Sequence, residues 1–229
     1  MSNRVADNYG KVQQMIAEAC GKSGRNVEDV TVVGVTKYTD AQGVQACIDA
    51  GIVNIGENLV QHALPKIEVI GNLHPDVHWH FIGHLQTNKV KYVLPHFAMI
   101  HSLDRLSLAK EIQNQAVKLG KYVECLLQVN ISGETTKFGV AEKELVSLAE
   151  TVSQFDHIKV KGLMTMAPHV EDPEQTRDIF ARLRMAKEQL SARNLPNFEL
   201  KHLSMGMSND FTVAVEEGAT LVRLGSVLF

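Results

Sequence analysis

Short runs of β-branched and other apolar residues alternate along the chain with longer segments in which apolar residues recur every three or four positions. The short runs predict buried strands, and the longer periodic segments predict amphipathic helices. The predicted strands span residues 31–36, 52–55, 77–82, 97–101, 122–130, 159–164, 198–203 and 220–224. The helices predicted between them span residues 44–50, 58–70, 86–93, 104–119, 141–154, 173–192 and 208–218.

One further helix is predicted ahead of the first strand. Its apolar positions are spaced three or four residues apart and are Val5, Tyr9, Val12, Ile16 and Ala19. Gly21 is expected to end this helix, because glycine is common just beyond a helix C-terminus. Residues 1–22 are therefore predicted to form an N-terminal helix outside the strand–helix repeat.

Eight strands that alternate with helices, in units of roughly 20–40 residues, are typical of an α/β protein with a (β/α)8 TIM barrel. A doubly wound open sheet is the alternative, but it needs a glycine-rich phosphate-binding loop after its first strand. The sequence has Thr36-Lys37-Tyr38 at that position. With 229 residues the chain is near the lower size limit of the barrel, so we predict a single domain over residues 1–229.

Composition restricts the classes of partner and the cellular compartment that we expect for this protein. The chain is 45% hydrophobic and 21% charged, with a formal net charge of -3, which gives no electrostatic reason to expect nucleic acid or a membrane surface as partner. No apolar run reaches the roughly 18 residues of a membrane helix, and the first residues lack a signal-peptide core. Cys20, Cys47 and Cys125 are odd in number and far apart, which is typical of a reducing cytoplasm.

A lysine stands at the end of the first predicted strand. Lys37 follows the apolar run 31–36, and strand ends are where ligands bind in α/β folds. A free lysine has a pKa of about 10.4, so only about one in a few thousand is a neutral, nucleophilic amine at neutral pH. Burial beside Val35 would lower the pKa of Lys37 and raise that fraction. The alternative is a lysine that simply extends into solvent.

A second polar group follows the last two predicted strands, where barrels commonly hold a phosphate. Ser204 and Ser208 offer hydroxyls, and Ser208 is expected at a helix N-terminus, where backbone N–H groups favour anions. Gly225 would let the backbone approach a ligand closely, and Ser226 adds a donor. Turn glycines and a helix cap would explain Ser208 without a ligand. They leave Arg223 unexplained, because an arginine at a barrel strand end needs an acceptor.

A reactive lysine and a phosphate site on one barrel face together indicate a cofactor that carries both an aldehyde and a phosphate. Pyridoxal 5′-phosphate (PLP) has both groups. Seven motifs occur in order along the chain: Val35-Thr36-Lys37, Gly56-Glu57-Asn58, Trp79-His80-Phe81-Ile82-Gly83, Leu85-Gln86-Thr87-Asn88-Lys89, Gly162-Leu163-Met164, Leu203-Ser204-Met205-Gly206-Met207-Ser208-Asn209-Asp210 and Val222-Arg223-Leu224-Gly225-Ser226. In these motifs the sequence resembles the single-domain YggS/PROSC-type PLP homeostasis proteins, which share the barrel of the N-terminal domain of alanine racemase.

The resemblance implies a role for each matched residue. It implies that Lys37 holds PLP as an internal aldimine and that Arg223 faces the pyridine nitrogen. Because arginine stays protonated, the ring nitrogen would stay unprotonated and the ring would be a weaker electron sink. The implied cofactor-binding set is Lys37, Asn58, Met164, Ser204, Met207, Ser208, Arg223, Gly225 and Ser226.

The sequence departs from the family pattern in three places. His84 replaces a smaller or apolar residue, Ser226 replaces a common threonine, and the sequence stops at Phe229, ahead of the usual glycine-containing tail. Because of the last difference, the sequence does not show which residues cover the final strand.

Other residues suggest further chemistry. A metal site is conceivable at four histidines, but no carboxylate stands at metal-ligand spacing among them, so we predict no metal. These histidines are His74, His78, His80 and His84. Lys137 is either a second aldehyde-reactive lysine or, as we favour, a solvated loop lysine.

Three functions are compatible with a barrel lysine. The favoured one is a non-enzymatic PLP-binding protein of PLP homeostasis, with PLP-dependent apoenzymes as further partners and a monomeric state. The alternative is an amino-acid racemase, which needs an acid/base group on each face of the substrate Cα. Among the tyrosines only Tyr38 is near Lys37, and we expect the racemase's second domain to be missing. A cofactor-free aldolase would want its lysine on the fifth or sixth strand, where Lys161 falls mid-strand.

Overall fold

Eight parallel strands close into a barrel in the computed structural model, which describes residues 2–229. Around the barrel the strand order is β4-β3-β2-β1-β9-β8-β7-β5, and pairing of β4 with β5 closes the ring. The barrel strands are β1 Thr31–Val35, β2 Asn54–Glu57, β3 His78–Phe81, β4 Met99–Leu103, β5 Val123–Asn130, β7 Ile158–Met164, β8 Phe198–Met207 and β9 Leu221–Leu224. A two-residue strand, β6 Val140–Ala141, pairs with the end of β5 outside the ring.

Helices surround the barrel. They are α1 Ser2–Ser23, α2 Ala41–Asp49, α3 Val60–Gly71, α4 Val90–Val93, α5 Leu106–Leu119, α6 Leu145–Val152, α7 Arg177–Ser191 and α8 Phe211–Glu216. The predicted (β/α)8 barrel with an extra N-terminal helix is confirmed. None of the helices in residues 2–229 combines the length and the hydrophobicity that a membrane-crossing segment requires.

The barrel separates two apolar cores. The larger core lies between the strands and the helices, where α2 and α3 bury residues such as Val44 and Ile70. The smaller one fills part of the barrel interior, and its members are Val33, Met99, Leu126, Met164 and Leu221. Because strand side chains alternate between two faces, every interior position has a neighbour that faces the helices. The interior also holds the polar side chains that form the candidate site.

The N-terminal helix is longer than the sequence predicts. It passes Gly21, whose side-chain position meets open space, and ends at Ser23. Gly24 then adopts φ +67°, and the Arg25 N–H donates to the Cys20 carbonyl at 3.0 Å. This is a Schellman-type end, which requires a left-handed residue that glycine supplies most easily. The glycine with the positive φ, and not the first glycine of the segment, ends the helix.

Three strands differ from their predicted bounds by two residues or more. The second was predicted at 52–55 and lies at Asn54–Glu57, and the fourth was predicted at 97–101 and lies at Met99–Leu103. The strand predicted at 198–203 continues to Met207, because Ser204 and Met207 pair with Leu221 and Arg223 of β9. The register shifts between these two pairs, and Gly206 has φ +90° at that irregularity. Pairing with the following strand, β9, extends β8, and the local sequence of β8 does not reveal it.

Gly206→Ala should destabilise the fold. The left-handed backbone strains alanine, and a Cβ here would lie 2.6 Å from the Ala214 Cβ of α8. We expect a loss of about 2–5 kcal/mol in the free energy of unfolding, measured by urea denaturation. Gly10→Ala is the matched control, because Gly10 lies in α1 with nothing within 4 Å of its Cβ position. It should stabilise by up to about 1 kcal/mol. Equal effects of the two substitutions would contradict this assignment of strain.

Candidate functional site

The residues expected to bind a ligand gather at the C-terminal mouth of the barrel. All barrel strands are parallel, so their C-terminal ends open on one face. The β-sheet register places Met164 beside Ser204, and Met207 beside Arg223. Lys37 follows β1 and Asn58 follows β2, which are neighbouring strands. Met164 is fully buried in the interior core, so it lies below the mouth as packing.

Lys37 lies in the turn that follows β1. Val33 belongs to the barrel interior, whereas the Cβ position of Gly34 faces the Cys47 sulfur of α2. Alternation of side chains along β1 places Val35 on the inward face with Val33, two residues before Lys37. Lys37 is half-buried, and its Nζ lies 4.8 Å from the centroid of the Tyr38 ring. The Tyr38 side chain is 93% exposed, so it extends away from the barrel.

A buried ion pair supports the backbone at Lys37 from the helix side. Lys66 Nζ donates to Glu57 Oε1 and to the Thr36 carbonyl, both at 2.7 Å. The Thr36 hydroxyl donates to the same Glu57 oxygen. Thr36 and Glu57 are fully buried, and Lys66 is nearly so. The cluster therefore anchors the carbonyl immediately before Lys37 to both β2 and α3.

Sequence reasoning missed this pair, although a signal was present. Lys66 stands on the buried face of α3 together with Val60, Ala63 and Ile70. A lysine within an apolar helix stripe needs a buried partner, because an unpaired charge there is costly. That spacing could have identified Lys66, but not Glu57 as its partner.

Arg223 is a buried cation at the mouth. Its guanidinium donates to the Ser204 hydroxyl at 2.6 Å and to the Thr165 carbonyl at 2.8 Å. Burial lowers the pKa of Arg223 to about 10, and the nearby Asp210 carboxylate partly opposes that shift. The side chain therefore remains charged at neutral pH. A guanidinium has five N–H groups, so these two bonds leave donors for a further acceptor.

Ser204 continues into a series of hydrogen bonds through the barrel interior. Its hydroxyl lies 2.9 Å from His101 Nδ1, and His101 Nε2 lies 2.9 Å from His80 Nδ1. His80 Nε2 lies 3.0 Å from Asn54 Oδ1. Burial, reinforced by neighbouring basic groups, lowers the pKa of His80 to about 4 and that of His101 well below its usual value. Ser204, expected to face the ligand, is thus committed to Arg223 and His101.

The loops after β8 and β9 are joined by Ser208. Its hydroxyl oxygen accepts the N–H groups of Gly225 at 3.2 Å and Val227 at 3.3 Å. The structure differs here from the expected helix cap, because α8 begins only at Phe211. Asp210 precedes α8, and its carboxylate accepts the Met207 N–H at 2.6 Å instead of capping the helix. With both lone pairs of Ser208 occupied, its hydrogen is the group left for a ligand.

The other members of this loop pair are more open. Ser226 is exposed, and Met207 is half-buried. At Gly225 a Cβ would lie 3.4 Å from the Val35 carbonyl, an ordinary contact. The backbone at Gly225 therefore tolerates a side chain on that side more easily than the sequence suggests.

Unpaired polar atoms gather at the same mouth. Within residues 2–229, the buried side-chain atoms without a hydrogen-bond partner are Glu57 Oε2, Asn58 Oδ1, His84 Nδ1 and Ser102 Oγ. All four lie at or just beyond the C-terminal ends of β2, β3 and β4, but Glu57 belongs to the helix-side ion pair and His84 Nδ1 lies 3.6 Å from Asp104 Oδ2. Buried polar groups are normally hydrogen-bonded, and unpaired ones indicate a partner such as a ligand. Asn58 and Ser102 therefore fit a polar cofactor at this end of the barrel.

The loop after β5 lies beside this cluster. The Asn130 side-chain amide donates to the Glu134 carbonyl at 2.9 Å and its oxygen accepts the Gly133 N–H at 3.0 Å. Phe138 stacks on His84 with ring centroids 3.9 Å apart. Lys137 is half-buried in this loop, and its backbone N–H donates to the Glu134 carbonyl at 3.1 Å.

The histidines considered for a metal are dispersed. His74 bonds to Gln45, His78 is exposed at the start of β3, and His80 bonds to His101. Across residues 2–229 no three histidine, cysteine or acidic side chains are grouped as metal ligands would be.

Comparison with known proteins identifies the class to which this barrel belongs. The sequence matches the family described as alanine racemase, N-terminal domain, over residues 4–229. A pyridoxal phosphate homeostasis protein of Aquifex aeolicus is 43% identical over 225 residues, which cover 98% of this chain and 97% of that protein. The protein of the same name from Vibrio alginolyticus is 38% identical over 227 residues, with 98% and 96% covered. The chain belongs to this family of alanine racemase-like pyridoxal phosphate homeostasis proteins.

A solved structure extends the similarity to the whole fold. PipY of Synechococcus elongatus, in a structure with PLP bound, is 31% identical with a TM-score of 0.85, and the match covers 98% of this chain and 99% of PipY. The family resemblance that the motifs indicated is confirmed.

Lys66→Met should destabilise the protein strongly, because it leaves the Glu57 carboxylate buried without its cation. We expect a loss of about 3–5 kcal/mol in the free energy of unfolding, measured by urea denaturation. The double variant Lys66→Met/Glu57→Gln should recover part of that loss, since no unpaired charge remains. Lys201→Met removes an exposed pair with Glu199 and should leave the unfolding midpoint nearly unchanged. Additive effects of the two substitutions would contradict a coupled pair.

Proposed function

We propose that this protein binds PLP at the C-terminal mouth of the barrel and takes part in intracellular PLP homeostasis. The observation that carries the proposal is the pairing, on adjacent strands, of a half-buried lysine after β1 with a buried arginine on β9 that keeps unused donors. A lysine amine can bond an aldehyde, and a guanidinium can donate to a ring nitrogen. Family membership supports the same cofactor.

Each expected residue has a proposed task. PLP, when bound, supplies an aldehyde that reacts with amines and a ring that withdraws electrons. Lys37 is the amine that holds the aldehyde. Arg223 donates to the pyridine nitrogen, and because it stays charged at neutral pH it keeps that nitrogen from taking a proton. Asn58 and Ser102 offer their unpaired buried oxygens to the polar groups of the cofactor.

The phosphate is assigned to the loops after β8 and β9. The Ser208 hydroxyl hydrogen, the exposed Ser226 and the backbone at Gly225 lie together there. Met207 lies beside Arg223 in the register and packs near the ring. Ser204 acts through Arg223, and Met164 forms the apolar floor beneath the site.

Holding the cofactor is favoured over turning over amino acids. A racemase needs a second acid/base group facing Lys37 across the substrate. Tyr38 is the tyrosine next to Lys37, but it is 93% exposed and extends into solvent. Arg223 also limits how well the ring stabilises a carbanion. Both features suit reversible storage of PLP better than catalysis.

We further propose a monomer of one domain in the cytoplasm, with PLP-dependent apoenzymes as recipients of the cofactor. Cys20, Cys47 and Cys125 are buried free thiols, which suits a reducing compartment. Light scattering of the PLP-loaded protein, alone and mixed with a PLP-requiring apoenzyme, tests the oligomeric state and stable complex formation.

Lys37→Ala should abolish the covalent attachment of PLP, because Lys37 supplies the bonding amine. The measurement is borohydride reduction of the PLP-loaded protein followed by peptide mass analysis, with the long-wavelength absorbance as a second readout. Lys37→Arg keeps the positive charge but not the nucleophile, so it should also lose the label. Lys137→Ala should keep it. A label that persists at wild-type level in Lys37→Ala would exclude Lys37, and loss in Lys137→Ala would assign the bond to the loop lysine.

The PLP-loaded protein should show no racemase turnover. Each enantiomer of alanine, serine, glutamate and lysine is incubated with it, and the chirality of the amino acid is followed. Losing an opposing acid/base group removes typically 10²–10⁴-fold of rate, so only slow exchange at Cα is expected. Turnover above about one per second that disappears in Lys37→Ala would establish a racemase instead.

A further inference from the structure

Five polar side chains form a continuous line of hydrogen bonds across the barrel interior, from the mouth to the opposite end. We name this line the interior chain, and its members are Arg223, Ser204, His101, His80 and Asn54. Each of its links is between 2.6 and 3.0 Å. Asn54 is the first residue of β2 and is partly exposed, so the interior chain ends near solvent at the N-terminal mouth of the barrel.

The arginine end sets the direction of the first two links. A guanidinium donates and cannot accept, so the Ser204 oxygen must be the acceptor. Ser204 is fully buried, and its hydroxyl also contacts His101 Nδ1. The Ser204 hydrogen is satisfied if it points to His101, which then accepts at Nδ1. A neutral imidazole that accepts at Nδ1 carries its hydrogen at Nε2.

The asparagine end leads to the same arrangement independently. Asn54 presents Oδ1, an acceptor, to His80 Nε2, so His80 carries its hydrogen at Nε2. His80 Nδ1 is then an acceptor, and it faces His101 Nε2, which must donate. With Asn54 Oδ1 facing His80 and the Ser204 hydrogen directed to His101, the Nε2–H form of both histidines satisfies both ends together. Every group in the chain donates to the next one, from Arg223 to Asn54.

The surroundings keep both histidines neutral. His101 is fully buried and His80 is 5% exposed. The charged or titratable groups that act on them are His78, His202 and Arg223, all of them basic, and they hold the pKa of both imidazoles low. A protonated imidazole would also lose the acceptor atom that its link requires. A buried polar network is tolerated when every member is satisfied, and this one is fully satisfied in the direction from Arg223 to Asn54.

We propose that His101 and His80 are positioning residues that orient the Ser204 hydroxyl as an acceptor for Arg223 and thereby direct the remaining guanidinium donors toward the cofactor. The role toward PLP rests on the proposed function, whereas the tautomers do not. The interior chain couples Asn54, at the far end of the barrel, to the orientation of Arg223. His80 and His101 are thus assigned to the site although neither follows the end of a strand at the mouth.

The first experiment reads the tautomers in cofactor-free protein. Long-range ¹H–¹⁵N correlation spectra of histidine-labelled protein distinguish the Nε2–H, Nδ1–H and charged forms. His80 and His101 should both show the Nε2–H pattern from pH 8 to pH 6, with peaks assigned by His80→Gln and His101→Gln. An Nδ1–H or charged pattern for either would overturn the directional chain.

The second experiment follows the chain to the cofactor. His101→Leu and Asn54→Leu each remove an acceptor, and PLP titrated into these variants should bind about tenfold more weakly, with an altered absorbance spectrum. Asn54→Gln keeps an amide oxygen as acceptor without adding a charge beside His80, and it should retain much more of the wild-type affinity than Asn54→Leu. His202→Leu is the matched control, because His202 is half-buried near the same end and bonds to Thr220 outside the chain. His202 helps to hold the pKa of His80 and His101 low but makes none of the links, so this variant should change neither the tautomers at pH 8 nor the affinity.

The outcomes separate the two proposals. Unchanged PLP affinity and spectrum in folded His101→Leu and Asn54→Leu would overturn the positioning role while PLP binding stands. Weakening in His202→Leu equal to that in Asn54→Leu would overturn it as well, because general destabilisation would then account for the effect. Wild-type protein that fails to bind PLP would overturn the proposed function and the cofactor role together, and the tautomer spectra would still decide the direction of the chain.

Discussion

Closure of the barrel is the constraint on which the rest of this structure depends. Pairing of β4 with β5 leaves none of the eight barrel strands with an open edge, so each strand has one face inside and one face against the helices. An eight-stranded barrel is just wide enough for its own side chains. Interior positions therefore contact one another across the ring, and residues as distant in sequence as His80 and Ser204 become connected through His101.

The mouth is held from two sides by polar contacts that cost free energy to bury. Outside the strands, Lys66 and Glu57 fix the backbone before Lys37. Inside, Ser204 and the Thr165 carbonyl hold Arg223. Apolar residues of similar volume would often stabilise a core at least as well as such groups. The concentration of buried polar and charged groups at one end of the barrel indicates that stability is exchanged there for a rigid, charged site.

A shared barrel does not by itself define a reaction. The family includes the N-terminal domain of alanine racemase, so the same scaffold supports a PLP enzyme. In this chain the site offers a lysine on one side and an arginine that stays charged on the other, while Tyr38 extends into solvent. These side chains, rather than the fold, favour holding the cofactor over catalysing a reaction on it.

The sequence by itself determined the strand–helix repeat, the barrel class and the positions of Lys37 and Arg223, because periodicity and strand ends are local properties. It did not show that β8 continues past Ser204 or that Ser208 holds the loop after β9, since both depend on pairing with a strand that follows along the chain. Nor did it show the partners of His101. The tertiary structure decided these contacts because a closed ring brings alternate residues of distant strands together, and no local pattern records which side chains will meet inside it.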